Sequence, residues 1–302
     1  MTSIEIIGAP LDFGANIRGA SLGPSALRLA HLYSALQALG WDMVERGDIP
    51  VPIKETLTQQ QQEKKYLPII AEVCSQLAVK TYQAKQASAI PLVLGGDHSV
   101  AIGSISGISH YYQEKGQALG VIWFDAHADM NTPAISPTGN IHGMPAAALL
   151  GYGYRELTHI YSPRPKLQAQ HLVFIGLREV DAAEKAFCRE TGVTCFTMRD
   201  IERRGMEAVI EDAIAIAGAG TAGLHVSLDL DCMDPVEMPG VSTRCNGGIR
   251  AREAHIALER IFATKKLSSF DLVELNPCQD VNQQSGRLAV ELAQTLFGYQ
   301  IL

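Results

Sequence analysis

Short apolar, β-branched runs alternate along the chain with longer stretches in which apolar residues recur at helical spacing. This is the pattern of parallel strands joined by crossover helices. The runs at 4–7, 91–94, 121–124, 172–175, 224–228 and 270–273, with 43–44 as a weaker one, predict strands buried on both faces. Gly23-Pro24-Ser25 opens a helix with proline just inside its start. Leu27, Leu29, Leu32, Leu36 and Leu39 continue it, and Gly40 ends it. Further helices are predicted over 67–86, 182–190, 200–217, 252–263 and 286–296. The glutamine-rich stretch 56–65 reads as a solvated linker. There is no internal repeat and no domain boundary. The expectation is an α/β fold with one domain over 1–302, built on a mostly parallel central sheet flanked by helices on both faces.

The polar motifs fall where five of these strands end. The strands run in turn into Gly95-Gly96-Asp97-His98, Asp125-Ala126-His127-Ala128-Asp129, Arg178-Glu179-Val180-Asp181, Asp229-Leu230-Asp231 and Glu274-Leu275-Asn276-Pro277. Ligands bind outside the carboxyl ends of strands in open α/β sheets, so the five motifs are expected to share one cleft. If the chain stays extended, a period of two puts Asp125, His127 and Asp129 on one face. Asp229 and Asp231 repeat the device on another strand, with Leu228, Leu230 and Cys232 pointing away. Such a carboxylate cluster repels itself unless a cation sits in it. Asp125, Asp129, Asp229 and Asp231 supply four negative charges, and His98 and His127 two neutral nitrogens, so two divalent ions balance the set. Hard oxygens with few imidazoles and no thiolate suit manganese or magnesium better than a closed tetrahedral zinc site, with cobalt, nickel or iron as substitutes, and manganese is the choice. Asp97 reads as a residue that orients its loop or His98. Asp234-Pro235 reads as a turn. His31, His110, His159, His171, His225 and His255 lie outside the motifs and read as core or surface residues.

Composition narrows the partners. With 302 residues and 47% hydrophobic content the chain can bury a large core. A formal charge of -7 and a pI near 5.7 argue against a nucleic-acid-binding surface. The longest apolar runs fall far short of the roughly 20 residues that span a bilayer. The six cysteines, Cys74, Cys188, Cys195, Cys232, Cys245 and Cys278, show no C-x-x-C pair, and no apolar segment with a cleavage site follows Met1. A cytoplasmic protein with reduced thiols and no membrane partner is expected.

At these motifs the sequence resembles the ureohydrolases, and within them the arginases, nearly end to end. The resemblance rests on Ile7-Gly8-Ala9-Pro10, Arg18-Gly19, Gly23-Pro24-Ser25, Gly95-Gly96-Asp97-His98-Ser99 and the Asp-Ala-His-x-Asp motif. Most telling is Ser136-Pro137-Thr138-Gly139-Asn140-Ile141-His142-Gly143-Met144-Pro145, since an S-x-x-G-N-x-H-G stretch separates arginases from agmatinase-like relatives. The resemblance implies a three-layer α/β/α domain. It implies one metal on His98, Asp125, Asp129 and Asp229 and a second on His127, Asp125, Asp229 and Asp231, with a bridging hydroxide that attacks the guanidinium carbon of L-arginine to give L-ornithine and urea. Glu274 would pair with the guanidinium and His142 would relay a proton to the leaving amine. Asn131 and Thr138 match positions that meet the α-carboxylate, Asp181 the one that meets the α-amino group, Glu184 a supporting acid, and Thr243 a threonine near the guanidinium end. A trimer or hexamer is implied as well.

Three departures from the arginase pattern leave the metal ligands untouched, and two of them border the substrate pocket. Cys232 stands where glycine or alanine is usual, Ser242-Thr243-Arg244-Cys245-Asn246 replaces Gly-Thr-Pro with apolar residues after it, and Glu179-Val180-Asp181-Ala182-Ala183-Glu184 lacks the usual proline and glycine. A relative acting on agmatine or another guanidino compound is the alternative enzyme. A metal-binding or regulatory homologue without catalysis is the alternative from another class, but it leaves the complete set of ligands with His142 and Glu274 unexplained. There is no G-x-G-x-x-G and no phosphate loop to support a nucleotide-binding module.

Overall fold

A computed structural model describes residues 3–300. Eight strands, β1 (Ser3–Ala9), β2 (Asp42–Asp48), β3 (Ile90–Gly95), β4 (Ala118–Phe124), β5 (Leu172–Leu177), β6 (Thr194–Thr197), β7 (Thr221–Asp229) and β8 (Leu267–Val273), form one sheet in the order β2-β1-β3-β8-β7-β4-β5-β6. All of its strand pairings are parallel, so the sheet is more uniform than expected. Side chains alternate between two cores. Leu92, Leu94, Ile122, Phe124, Val173 and Ile175 pack on one face against the helices Met206–Ala217, Ala251–Ala263 and Gln284–Leu296. Val93, Val121, Trp123 and Phe174 face the other side, where Gln59–Gln86 and Ala101–Gln113 lie. Helices therefore flank the sheet on both faces. Among the described residues no helix is long and apolar enough to cross a membrane.

All seven expected strands form, and β6 is an addition. Its residues are all half-buried because it lies at the sheet edge, so it carries no continuous apolar run for a sequence pattern to register. The helix Ala101–Gln113 is the larger addition. It is buried nearly all round and built from small residues rather than an apolar stripe. A Cβ on Gly107 would stand 2.0 Å from the Ala78 carbonyl oxygen, and one on Gly103 2.5 Å from that of Cys74. The glycines let this helix lie directly on the backbone of Gln59–Gln86.

Other boundaries differ for local reasons. The predicted first helix is split into Gly23–Leu29 and Leu32–Gln37 by His31, whose φ is +66°. The stretch 200–217 divides into Met198–Arg204 and Met206–Ala217 at Gly205, with φ +79°. The stretch 56–65 is not a plain linker. Thr58 and Gln61 form a capping box that starts the helix Gln59–Gln86, which is then interrupted by non-helical geometry from Glu63 to Tyr66.

Candidate metal centre

The five motif-bearing strands are five consecutive ones, β3-β8-β7-β4-β5, so their carboxyl ends meet at one place. A single cavity there is lined by His98, His127, Asp129, Asp229 and Asp231 at its base and by Asn131, Thr138, Asp181 and Glu184 further out.

Close backbone approach delivers His98. Gly96 follows β3 so near Leu11 that a Cβ would fall 1.7 Å from the Leu11 carbonyl oxygen. Asp97 then accepts from the backbone N–H groups of Ser99 and Gly14, fixing the turn. The buried His98 ring stacks on Trp123 with centroids 4.3 Å apart, and its Nε2 meets Ser227 Oγ at 2.7 Å. This leaves Nδ1 facing Asp125, Asp129 and Asp229, each with an oxygen at 3.1 to 3.2 Å. His127 Nδ1 lies 3.3 Å from Asp125 Oδ1 and 3.1 Å from Asp231 Oδ2. Two ligand clusters result, His98-Asp125-Asp229 and Asp125-His127-Asp231, and Asp125 belongs to both, with one oxygen turned to each histidine.

The carboxylates do not reach this arrangement by strand alternation, as the spacing had suggested. Asp125 Oδ1 accepts the His127 N–H, Asp229 Oδ1 accepts the Asp231 N–H, and residues Leu230–Cys232 form a 3-10 turn. Asp129 has φ +53°. Side-chain-to-backbone hydrogen bonds thus turn the chain sharply at the strand ends. The ligand side chains converge because the strands stop.

The site is electrostatically strained. Burial raises the Asp229 and Asp129 carboxyls, and the neighbouring carboxylates push them further; Asp229 lies well above the usual range and Asp129 reaches about 7. Burial opposes charge on His98, but hydrogen bonds to Asp125, Asp129 and Asp229 outweigh it and hold the imidazolium well above its ordinary value. Asp125 is pulled below the usual range, because His127 and His98 overcome its burial. Asp129 Oδ2 is buried within the cluster and shares the one His98 Nδ1, 3.1 Å away, with oxygens of Asp125 and Asp229. Hard oxygen donors, two imidazoles and three carboxylates crowded on one nitrogen fit divalent cations.

Glu274 follows β8 with φ +65° and is almost wholly buried. Its Oε1 accepts the His98 N–H at 2.9 Å and meets His142 Nδ1 at 3.2 Å, while Oε2 has no partner. Burial opposes charge on His142, but Glu274 outweighs it and holds the imidazolium up to about 9. Thr243 Oγ1 donates to Asp231 Oδ2 at 2.7 Å. Asp181 caps the helix Ala182–Thr191 and also accepts from Asn131 Nδ2 at 3.2 Å. Glu184 accepts the Met130 N–H, and burial raises its carboxyl to about 7. Thr138 Oγ1 accepts the Asn140 N–H on the outer wall.

A model of the arginase family matches residues 2–298, and the arginase of Bacillus caldovelox is 43% identical over the full length of both chains. The chain belongs to the arginase family. The solved structure of that Bacillus caldovelox arginase aligns with a TM-score of 0.95 and covers 100% of both chains. The arginase of Brevibacillus brevis is 42% identical over 99% of each chain.

Within this arginase-family site, the sequence motifs left three supporting residues without a role. Arg178 donates to the carbonyl oxygens of Gly176, Asp231, Cys232, Met233 and Cys245, tying the end of β5 to the turn that carries Asp231 and to the unusual Ser242-Asn246 loop. Ser227 and Trp123 hold His98, and Trp123 Nε1 also donates to Asp125 Oδ2 at 3.1 Å. For Ser227 and Trp123 the available signal was their period: each stands two residues before a motif aspartate on its strand, on the same face of the sheet.

Proposed function

We propose that this chain is a dinuclear metal hydrolase that cleaves the guanidinium group of L-arginine to L-ornithine and urea. The convergence of four carboxylates and two imidazoles around the shared Asp125, beside the unpartnered Glu274 Oε2, carries the reading. His98, Asp125, Asp129 and Asp229 would hold one ion, and Asp125, His127, Asp229 and Asp231 the other. Manganese suits this donor set, and cobalt is the next choice. Bound divalent ions supply charge that lowers the pKa of water toward neutrality and stabilises a tetrahedral centre.

The remaining chemistry belongs to the protein. Glu274 Oε2, buried and without a hydrogen-bond partner, would accept charge-assisted hydrogen bonds from a planar guanidinium. His142, held at Nδ1 by Glu274, delivers a proton to the leaving amine. Thr243 keeps Asp231 in place through its hydroxyl. Asn131 and Thr138 on the outer wall suit the α-carboxylate, Asp181 the α-amino group, and Glu184 braces the loop that carries Asp129 and Met130. Asn131 and Asp181 already share a hydrogen bond, so substrate groups on one carbon can address both. The six free thiols suit a reducing cytoplasm, and the protein works there as a homo-oligomer, a trimer or hexamer by family likeness, which sedimentation would measure.

Urea release from L-arginine and from agmatine, after reconstitution with individual metals, tests the reading. A site built around hydrogen bonds rejects an analogue lacking the partner by on the order of 10⁴-fold. Manganese-loaded protein is expected to prefer L-arginine by that order. Equal kcat/KM for agmatine would overturn the substrate assignment, and no turnover with any metal would overturn the enzyme.

A further inference from the structure

The cavity presents a problem for a substrate that carries a carboxylate. Asp129, Glu179, Asp181, Glu184, Asp229 and Asp231 line it; its basic side chains are the imidazoles of His98, His127 and His142, each already facing a carboxylate, and no lysine or arginine lines it. The proposed carboxylate donors Asn131 and Thr138 are neutral. An anion entering this field needs a cation nearby. Among the neighbouring basic groups, Arg18 is committed to Asp12 at 2.7 Å and Lys64 to Glu156 at 3.5 Å. Lys65 forms no ion pair among the described residues. Its Nζ touches two neutral amide oxygens, Asn16 Oδ1 at 3.3 Å and Asn140 Oδ1 at 3.4 Å, and Asn140 lines the cavity.

The backbone around Lys65 is shaped to put it there. Lys64, Lys65 and Tyr66 have φ of +47°, +57° and +61° in succession, left-handed geometry that residues with a Cβ adopt at a cost. Contacts on either side hold the break. Tyr66 stacks on Phe13 with centroids 5.1 Å apart, and the Lys64 ammonium lies over the Tyr154 ring at 5.3 Å. With its neighbours anchored, the exposed Lys65 leans on the loop that carries Thr138 and Asn140, its Cγ lying 3.9 Å from where a Cβ on Gly139 would stand.

We propose that Lys65 is a specificity-determining residue, the cation at the cavity mouth that receives the α-carboxylate of an amino-acid substrate by exchanging its amide partners for the anion. The proposal rests on the hydrolase reading above. It assigns preference for amino acids over decarboxylated amines partly to a residue on the interrupted helix, outside the motifs.

The test is a comparison of Lys65→Met, Lys65→Arg and unaltered manganese-loaded enzyme with L-arginine and with agmatine. Lys65→Met is expected to raise KM for L-arginine about fivefold, the upper range for one exposed charge pair, with kcat unchanged. The agmatine KM should stay constant, Lys65→Arg should restore L-arginine, and the difference should shrink at high salt. Direct binding gives a readout free of turnover: the L-ornithine Kd should rise by the same factor in Lys65→Met, while the Kd of 1,4-diaminobutane does not move. Equal losses for both substrates would mark Lys65 as structural and overturn the proposal, as would an unchanged L-arginine KM. If the unaltered enzyme releases no urea from L-arginine with any metal, the hydrolase reading fails first and this one falls with it.

Discussion

Asp129 and Glu274 both adopt left-handed backbone geometry, at φ +53° and +65°; Asp129 lines the cavity against His98, and Glu274 is buried behind it with Oε2 lacking a hydrogen-bond partner. Backbone strain at two carboxylates of one cluster indicates positions held for a ligand. The carboxylates differ in what they hold. Asp125 belongs to both ligand clusters, whereas Asp129 faces only His98. Asp125→Ala is expected to lose both metal ions and Asp129→Ala to weaken one, with elemental analysis after dialysis as the measurement; equal metal content in the two variants would contradict the shared role. His142→Ala should retain both ions while turnover falls by roughly 10²- to 10⁴-fold, the range for a lost proton donor. Because Glu274 outweighs burial and holds His142 up to about 9, the donor is protonated at neutral pH and loses its proton as pH rises through that value. The alkaline limb of kcat should therefore flatten in His142→Ala, and an unchanged pH profile would make His142 structural.

Between elements, the contact of Gln59–Gln86 with Ala101–Gln113 depends on missing side chains. Gly107→Ala would place a methyl group 2.0 Å from the Ala78 carbonyl oxygen and 2.4 Å from Thr81 Oγ1. The helices must separate or the turn must shift, at about 1–3 kcal/mol, the usual range for overpacking. Denaturant titration of Gly107→Ala should show that loss in stability, and a midpoint equal to that of the unaltered protein would mean the pair has slack. The same contact links fold to site, since His98–Val100 leads directly into Ala101–Gln113. A displaced helix would carry His98 away from Asp229, so reduced metal affinity should accompany the loss of stability.

For the whole molecule, four buried carboxylates at the ends of β4 and β7 repel one another unless cations offset the charge. Binding to the folded state alone stabilises by about 4 kcal/mol at a thousandfold excess over Kd. The melting temperature should rise on adding manganese and fall on chelation, with two ions per chain in the fully active protein. A melting temperature insensitive to both treatments would sink the dinuclear reading at the level of the fold.

The candidate ligand set was legible in the sequence because each part of it is local: a strand, its end, and a short motif immediately after. Apolar runs of β-branched residues marked the strands, and His98, Asp125, His127, Asp129, Asp229 and Asp231 could be named from their placement alone. Strand neighbours could not be named that way, since β3 pairs with β8 and β4 with β7 across intervals longer than any local pattern. The helix Ala101–Gln113 escaped because its glycines answer to a partner backbone some thirty residues earlier. Arg178 gave no hint of the carbonyls it gathers, because backbone acceptors look alike at every residue type. Which atoms face each other across Asp125, how Glu274 keeps one oxygen unpartnered, and why Lys65 meets Asn140 were decided by tertiary packing. Residue types limit the chemistry a segment can perform, while distances between segments follow from how the strands stack, where they stop and what the turns beyond them must avoid.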